Sequence, residues 1–323
     1  MMFIKFLRRL KSCCLLFEIR YASILTLAKT WTKYFDPDVV SKLAHIGFKP
    51  AGLVEGSLVG NHPSPFHGFA IEFAGHRGYV PGDDIRHLDW KAFYKTDKYL
   101  IKQYEQETNF LAHLLVDVSA SMKFAHEHGS KQDYAAFIAT ALAQIIVGQS
   151  DSVSVTFFDE EIVETVPMTN GEDVIDKIAN FYDDRAPKSG SGLGRILDVV
   201  AEQAGRRRVL FLISDLFGDP EETFRGLRRL LDAKHEVVLL QIVDPLEVSF
   251  DIPGKVKFVN LEGEETLEAR GTSVRDSYEE MFKEFLDDVH DRSLRLGIDH
   301  IRCDMDTPFG VHLASYLSGR EAR

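Results

Sequence analysis

Cysteine is nearly absent: Cys13, Cys14 and Cys303 are the only three in 323 residues. Two neighbours and one distant thiol make neither a disulfide framework nor a zinc-binding C-x-x-C pair. Free thiols fit a reducing compartment, so a cytoplasmic location is expected. Positive charge is also in deficit. The 38 Lys and Arg against 50 Asp and Glu leave a formal charge of -12, which argues against the basic face that a general nucleic-acid binder needs. Long apolar runs are missing from residues 1–33, where Lys5, Arg8, Arg9, Lys11, Glu18, Arg20 and Lys29 break up an otherwise greasy stretch. The longest charge-free run there, Tyr21 to Ala28, is far short of the ~20 residues that span a bilayer. No single apolar block follows the basic residues as a signal peptide requires. Three readings of this stretch stay open: a basic helix touching a membrane surface, an ordinary packing helix, or an extension outside the working protein.

What is present is an alternation. Short apolar runs at Leu111–Val116, Val153–Phe158, Val209–Ile213, Glu236–Val243 and Ile298–Cys303 read as strands. Between them, apolar residues spaced by three and four predict helices over Asp133–Gly148, Gly171–Tyr182, Arg195–Ala204, Pro220–Ala233 and Asp276–Leu296. Asp219 before Pro220 reads as an N-cap followed by a first-turn proline. This rhythm predicts a doubly wound α/β fold, Rossmann-like, with a mostly parallel sheet. Glu161–Met168 follows the second strand so closely that it reads as an antiparallel edge strand, and Lys255–Leu261 with Glu265–Ala269 as a surface hairpin. The stretch before Leu111 is rich in Gly, Pro and His, with Phe69, Ile71 and Phe73 alternating like a strand. It predicts a smaller β-rich segment. The boundaries expected are an extension over 1–33, a β-rich segment over 34–108 and the α/β domain over 109–323.

Ligands of parallel sheets bind at the carboxyl ends of the strands. There the chain carries Asp117-Val118-Ser119-Ala120-Ser121, directly after the first strand. One carboxylate and two hydroxyls in D-x-S-x-S spacing are hard oxygen donors, suited to Mg²⁺ or Mn²⁺ rather than zinc. Two further loops are expected on the same rim. Ser191 lies in Ser189-Gly190-Ser191-Gly192-Leu193-Gly194 before a helix, and Asp215 follows Ser214 after a strand. Asp117, Ser119, Ser121, Ser191 and Asp215 are therefore the candidate metal ligands. With only two carboxylates in the set, a bound cation keeps exposed positive character, and a partner's carboxylate would complete its coordination.

The three loops resemble the metal-ion-dependent adhesion site of von Willebrand factor type A (vWA) domains. Asp117, Ser119 and Ser121 stand at the positions of the first loop and Asp215 at that of the third. Ser191 stands where that family has threonine, a departure that keeps the hydroxyl and loses the methyl. Upstream, Tyr79-Val80-Pro81-Gly82-Asp83-Asp84-Ile85-Arg86-His87-Leu88-Asp89-Trp90-Lys91 is a more specific string. With the D-x-S-x-S loop about 25 residues later, it resembles the domain of unknown function 58 family, from about Tyr34 to the C-terminus. Many members of that family carry an N-terminal membrane hairpin, for which residues 1–33 hold too many charges. The resemblance implies a vWA-like fold, a protein-binding metal site and a partner, a MoxR-type AAA+ ATPase that remodels or activates other proteins.

Plainer readings stand beside these. The D-x-S-x-S loop has the form of a serine-capped helix start. Gly82–Trp90 has the form of a turn in which Arg86 pairs with Asp83, Asp84 or Asp89 and Trp90 is buried. His62, His67, His76 and His87 are spaced irregularly, without cysteine partners, and read as surface or packing residues. Asp159-Glu160-Glu161 reads as a hairpin tip, and Arg206-Arg207-Arg208 as a solvated loop end. A phosphatase or hydrolase using Asp117 as nucleophile is the alternative of another class. Against it, Ser119 replaces the second aspartate such phosphatases use as acid and base. Neither a G-x-S-x-G elbow nor a phosphate-binding loop is present. A scaffold with a vestigial site is the third reading. The expected function is metal-dependent protein binding without catalysis.

Overall fold

A computed structural model describes residues 33–48, 50, 59–63, 72–81, 83–105, 107–108, 110–183, 192–203, 205, 207–251, 255–259 and 266–321. The calls on Cys13, Cys14 and membrane contact by the N-terminus lie outside these residues, as do those on Phe69, Ile71 and Ser191.

Five apolar runs form parallel strands: β1 (Leu111–Asp117), β2 (Ser152–Phe158), β4 (Val209–Ser214), β5 (Glu236–Val243) and β6 (Asp299–Asp304). Between the second and third of these, β3 (Ile162–Thr169) turns back antiparallel on β2 and forms one edge of the sheet. The strand order is β3-β2-β1-β4-β5-β6. The chain thus builds outward from β1 in one direction, then returns to β4 and builds outward in the other. Where β1 and β4 lie side by side, with Val116 opposite Ile213, the winding reverses. That is the topological switch point, at whose carboxyl end doubly wound sheets bind ligands.

The helices are α1 (Pro37–Ile46), α2 (Trp90–Thr96), α3 (Lys131–Gly148), α4 (Asp173–Asp183), α5 (Leu193–Gln203), α6 (Pro220–Asp232), α7 (Pro245–Ser249), α8 (Gly271–Leu296) and α9 (Phe309–Glu321). Successive strand residues leave the sheet on opposite faces. Ala112, Leu114, Val116, Phe211 and Ile213 pack with α1, α3, α4 and α9. Leu115, Leu210, Leu212 and Leu239 pack with α5, α6 and α8. Both faces are therefore covered, which is why these strands read as continuous apolar runs. α3 is buried on nearly every side, and Ala135, Ala136, Ala139, Ala141 and Ala143 let its backbone come close to the sheet. Asp219 caps α6 as its sequence predicts, accepting from the Glu221 N–H at 2.8 Å.

Among the described residues the segment before β1 holds helices as well as strands, with Val59–Pro63 pairing antiparallel with Glu107–Thr108. α1 sits within the main core through Val40 and Leu43. Phe48 is fully buried against Phe110 and Phe211, and the Gln149 side chain holds its backbone N–H at 2.8 Å and its carbonyl at 3.2 Å. Beyond this, Glu72–Gly78 pairs antiparallel with Leu100–Glu105, and α2 lies in the connection between them. Lys255–Val259 and Thr266–Arg270 pair as the expected hairpin. α8 begins at Gly271, directly after that hairpin and ahead of the expected Asp276.

Candidate metal centre

Asp117 is the last residue of β1 and is buried. Its Oδ1 accepts the Ser119 N–H at 2.9 Å, which folds the D-x-S-x-S loop back over the strand end. Its Oδ2 accepts the Ser214 hydroxyl at 2.6 Å, a bond between β1 and β4 across the switch point. Ser119 is fully buried, and its Oγ lies 3.0 Å from the Ser121 Oγ. Burial first, and then the charge of Asp215, push the Asp117 carboxyl up to about 7. A carboxylate held in this way is short of positive charge.

Asp215 follows β4 and is also buried. Its Oδ1 accepts the Phe217 N–H at 3.1 Å, and its Oδ2 accepts Lys131 Nζ at 2.8 Å. The loop turns sharply because Leu216 adopts a left-handed backbone (φ 61°), a conformation that costs a leucine roughly 1–2 kcal/mol. The Ser214 Oγ stabilises that turn by accepting the Leu216 N–H at 2.9 Å.

Lys131 is the residue that sequence reasoning missed. It opens α3 behind the cap Ser130, has no exposed surface, and places Nζ 2.8 Å from Asp215 and 2.6 Å from Glu247. The Phe217 ring lies 4.7 Å from the ammonium. Burial works against the lysine's charge, but Asp215 and Glu247 outweigh it and raise its pKa. Burial raises the Glu247 carboxyl, and Lys131 offsets only part of that. Glu247 is in turn the third residue of α7, whose capping box with Asp244 fixes both side chains. Asp244 Oδ2 is buried without a hydrogen-bond partner among the described residues. These partners are 84 and 116 positions from Lys131, so no local pattern announces them.

The second predicted loop is described only from Gly192 onward. The Gly192 N–H donates to the Asp159 carbonyl at 3.1 Å, which brings this loop to the carboxyl end of β2 beside β1. A Cβ at Gly192 would stand 2.5 Å from the Glu160 carbonyl oxygen, so only glycine fits there. Ser191 itself lies outside the described residues. Of the five predicted ligands, the structure therefore places Asp117, Ser119, Ser121 and Asp215 on one rim.

The two serine oxygens of the candidate set meet a simple test of fit. Adjacent ligands on an octahedral Mg²⁺ with bonds near 2.1 Å stand about 3.0 Å apart, and the two serine oxygens have that separation. Among the described residues no group of three or more His, Cys, Asp or Glu forms a metal cluster. The candidate set is hydroxyl-rich and holds two carboxylates.

The upstream motif lies elsewhere in the fold. Asp83 takes Arg77 in a two-pronged pair at 2.6 and 2.7 Å, Asp84 takes Arg86 at 2.7 Å, and Asp89 caps α2. The structural roles of these carboxylates match the turn reading. Trp90 does not: it is 55% exposed rather than buried, at the start of a short helix in which no residue is buried.

Compared with curated proteins, the chain is 27% identical over 226 residues to an uncharacterized protein of Mycobacterium tuberculosis, spanning 68% of this chain and 70% of that one. Among solved structures it is similar to BatB, a conserved hypothetical protein from Bacteroides thetaiotaomicron. That match is 12% identical, with TM-score 0.42, over 67% of this chain and all of that one. An aerotolerance-related membrane protein from Bacteroides fragilis matches at 15% identity and TM-score 0.42, over 65% of this chain and all of that one. The expectation of a cytoplasmic location is withdrawn; the Bacteroides fragilis neighbour is described as a membrane protein. No helix among the described residues is long and apolar enough to cross a membrane. The family model for the protein of unknown function DUF58 matches residues 75–285, and the chain belongs to that family.

Proposed function

We propose that this protein is a metal-dependent protein-binding module with a vWA-like domain, an adaptor for a MoxR-type AAA+ ATPase in protein remodelling or complex assembly. The observation that carries the reading is the placement of Asp117, Ser119 and Ser121 beside Ser214-Asp215 at the switch point, joined by the 2.6 Å bond from Ser214 to Asp117. Asp117, Ser119, Ser121 and Asp215 would hold Mg²⁺ or Mn²⁺, with Ser191 added from the neighbouring loop. A bound cation would supply Lewis acidity at a coordination position that a partner's carboxylate oxygen completes. The chain's own residues do the rest. Ser214 fixes the orientation of Asp117, Lys131 fixes that of Asp215, and the buried strand ends keep both carboxylates in a low-dielectric setting where a cation counts for more. A hydroxyl-rich donor set suits ligand capture better than hydrolysis, which favours binding over catalysis.

The test is binding of a purified MoxR-type ATPase to the immobilised full chain, in Mg²⁺ and in chelator. Binding that needs the metal and is lost in Asp117→Ala is the expected result. Binding indifferent to both would overturn the reading and favour a scaffold with a vestigial site.

A further inference from the structure

The motif segment between Tyr79 and Tyr99 has three of its four acidic residues occupied. Asp83 receives Arg77 and the Val80 N–H. Asp84 receives Arg86, and Asp89 receives His76 at 2.8 Å as well as the Lys91 and Ala92 N–H groups. These bonds stiffen the connection, and what it presents outward is aromatic. Trp90 is 55% exposed, Tyr94 85% and Tyr99 55%. Half-buried Phe93 ties them into one patch, stacked on Tyr99 at 4.6 Å and in contact with Trp90 and Tyr94 at 6.3 and 6.0 Å. The Tyr79 N–H donates to the Tyr99 carbonyl, which brings exposed Val80 alongside. Lys91, Lys95 and Lys98 are exposed in the same stretch, against one further acid, Asp97.

We propose that this aromatic face docks on an anionic membrane surface, with Trp90, Tyr94 and Tyr99 in the interfacial layer and Lys91, Lys95 and Lys98 on lipid headgroups. Tryptophan and tyrosine favour that layer because their rings are amphipathic. Lysine stems lie along apolar surface while the ammonium reaches the headgroups. The choice of cation separates this from a protein partner, since protein interfaces favour arginine and are depleted in lysine. The chain as a whole carries -12 and is repelled by anionic lipid. A face with three of its four carboxylates already paired, and lysines in excess over Asp97, is where approach is permitted, so charge fixes the orientation. The proposal stands apart from the metal site, whose residues it does not use.

The chain has two tryptophans, Trp31 and Trp90, so Trp31→Phe leaves Trp90 as a single reporter in the full-length protein. The probes are phosphatidylcholine vesicles with and without phosphatidylserine, carrying brominated acyl chains. The expected result is co-sedimentation with the phosphatidylserine vesicles only, with a blue shift and bromine quenching of Trp90 that high salt reverses. Each lysine near an anionic surface is worth about fivefold in affinity, so Lys91→Gln with Lys95→Gln should weaken binding more than tenfold. Both lysines are exposed, and circular dichroism checks that the fold is kept. Failure to sediment with either vesicle overturns the proposal. So does sedimentation that leaves Trp90 unquenched, because residues 1–32 would then be the lipid contact. A concentration-dependent blue shift without lipid also overturns it, in favour of a second copy of the chain as occupant.

Discussion

Lys131 carries the heaviest single consequence for stability. Its ammonium is fully buried between Asp215 and Glu247, and removing one partner of such a cluster strands the others, at a cost of about 3–5 kcal/mol. Urea denaturation of Lys131→Met is expected to show that loss. Adding Glu247→Gln should return part of it, since one stranded carboxylate is then neutral. If Lys131→Met were as stable as the parent, the buried triad would not be the clamp described above. Asp117→Asn removes the repulsion with Asp215, but its single amide oxygen can serve only one of the Ser214 hydroxyl and the Ser119 N–H. The gain and the lost acceptor offset each other, so metal-free stability should change by less than about 2 kcal/mol while stabilisation by Mg²⁺ disappears. Thermal melts of both proteins, with and without Mg²⁺, check the two effects together. The placement of Asp117, Ser119, Ser121 and Asp215 at strand ends was legible in the sequence because an apolar strand leads into each loop. Lys131 and Glu247 were not, because their meaning depends on contacts between elements far apart in the chain.

Elements decide how firmly the site is held. Gly192 leads into α5 with its Cα against the β2–β3 turn, so Gly192→Ala must push a Cβ into the Glu160 carbonyl. A loss of about 1–3 kcal/mol is expected, together with weaker Mn²⁺ affinity as the second loop is displaced. Denaturation and metal titration of the same variant separate the two. Normal metal affinity in a destabilised Gly192→Ala would place the second loop outside the site. The strands were readable because burial on both faces leaves unbroken apolar runs, and β3 because it follows β2 after three residues. The start of α3 was read at Asp133, two residues inside the helix. Ser130 caps it by accepting the Asp133 N–H at 3.0 Å, and Lys131 does not look like a helix-opening core residue. Helices α1, α2, α7 and α9 were not read at all. α2 buries no residue and so lacks the apolar stripe that marks a helix. Trp90 was expected inside for the same reason that aromatic residues usually are, but among the described residues this short helix has no second layer to bury it.

At the scale of the whole molecule, the winding places Asp117 and Asp215 together. β1 and β4 are 92 residues apart from the end of one to the start of the other, counting Asp117 to Val209, yet adjacent in the sheet. The same architecture buries His113 in the middle of β1, with its Nε2 2.9 Å from the Thr156 hydroxyl. Burial lowers its pKa to about 3. The unfolded chain therefore binds this proton first as pH falls through 6.5, and folding weakens until the folded value is reached. Between pH 7 and 5 this amounts to about 2 kcal/mol. Asp117 has the opposite sign, because its raised pKa makes the folded state hold a proton more tightly than the unfolded chain. Comparing His113→Gln with the parent cancels the contribution of Asp117. The variant should gain about 2 kcal/mol relative to the parent on going from pH 7 to 5, measured by denaturation at both values. An unchanged difference would mean that His113 is not neutral in the fold.

The most direct measurement is a calorimetric titration of the full chain with Mg²⁺ and with Mn²⁺, beside Asp117→Ala and Asp215→Ala. Saturable binding of one ion per chain, abolished by each substitution, is the predicted result. Binding that survives both substitutions would place the metal elsewhere. No binding by the parent protein, by Ser191→Thr, or by either in the presence of the ATPase partner would contradict a metal-dependent site at the switch point.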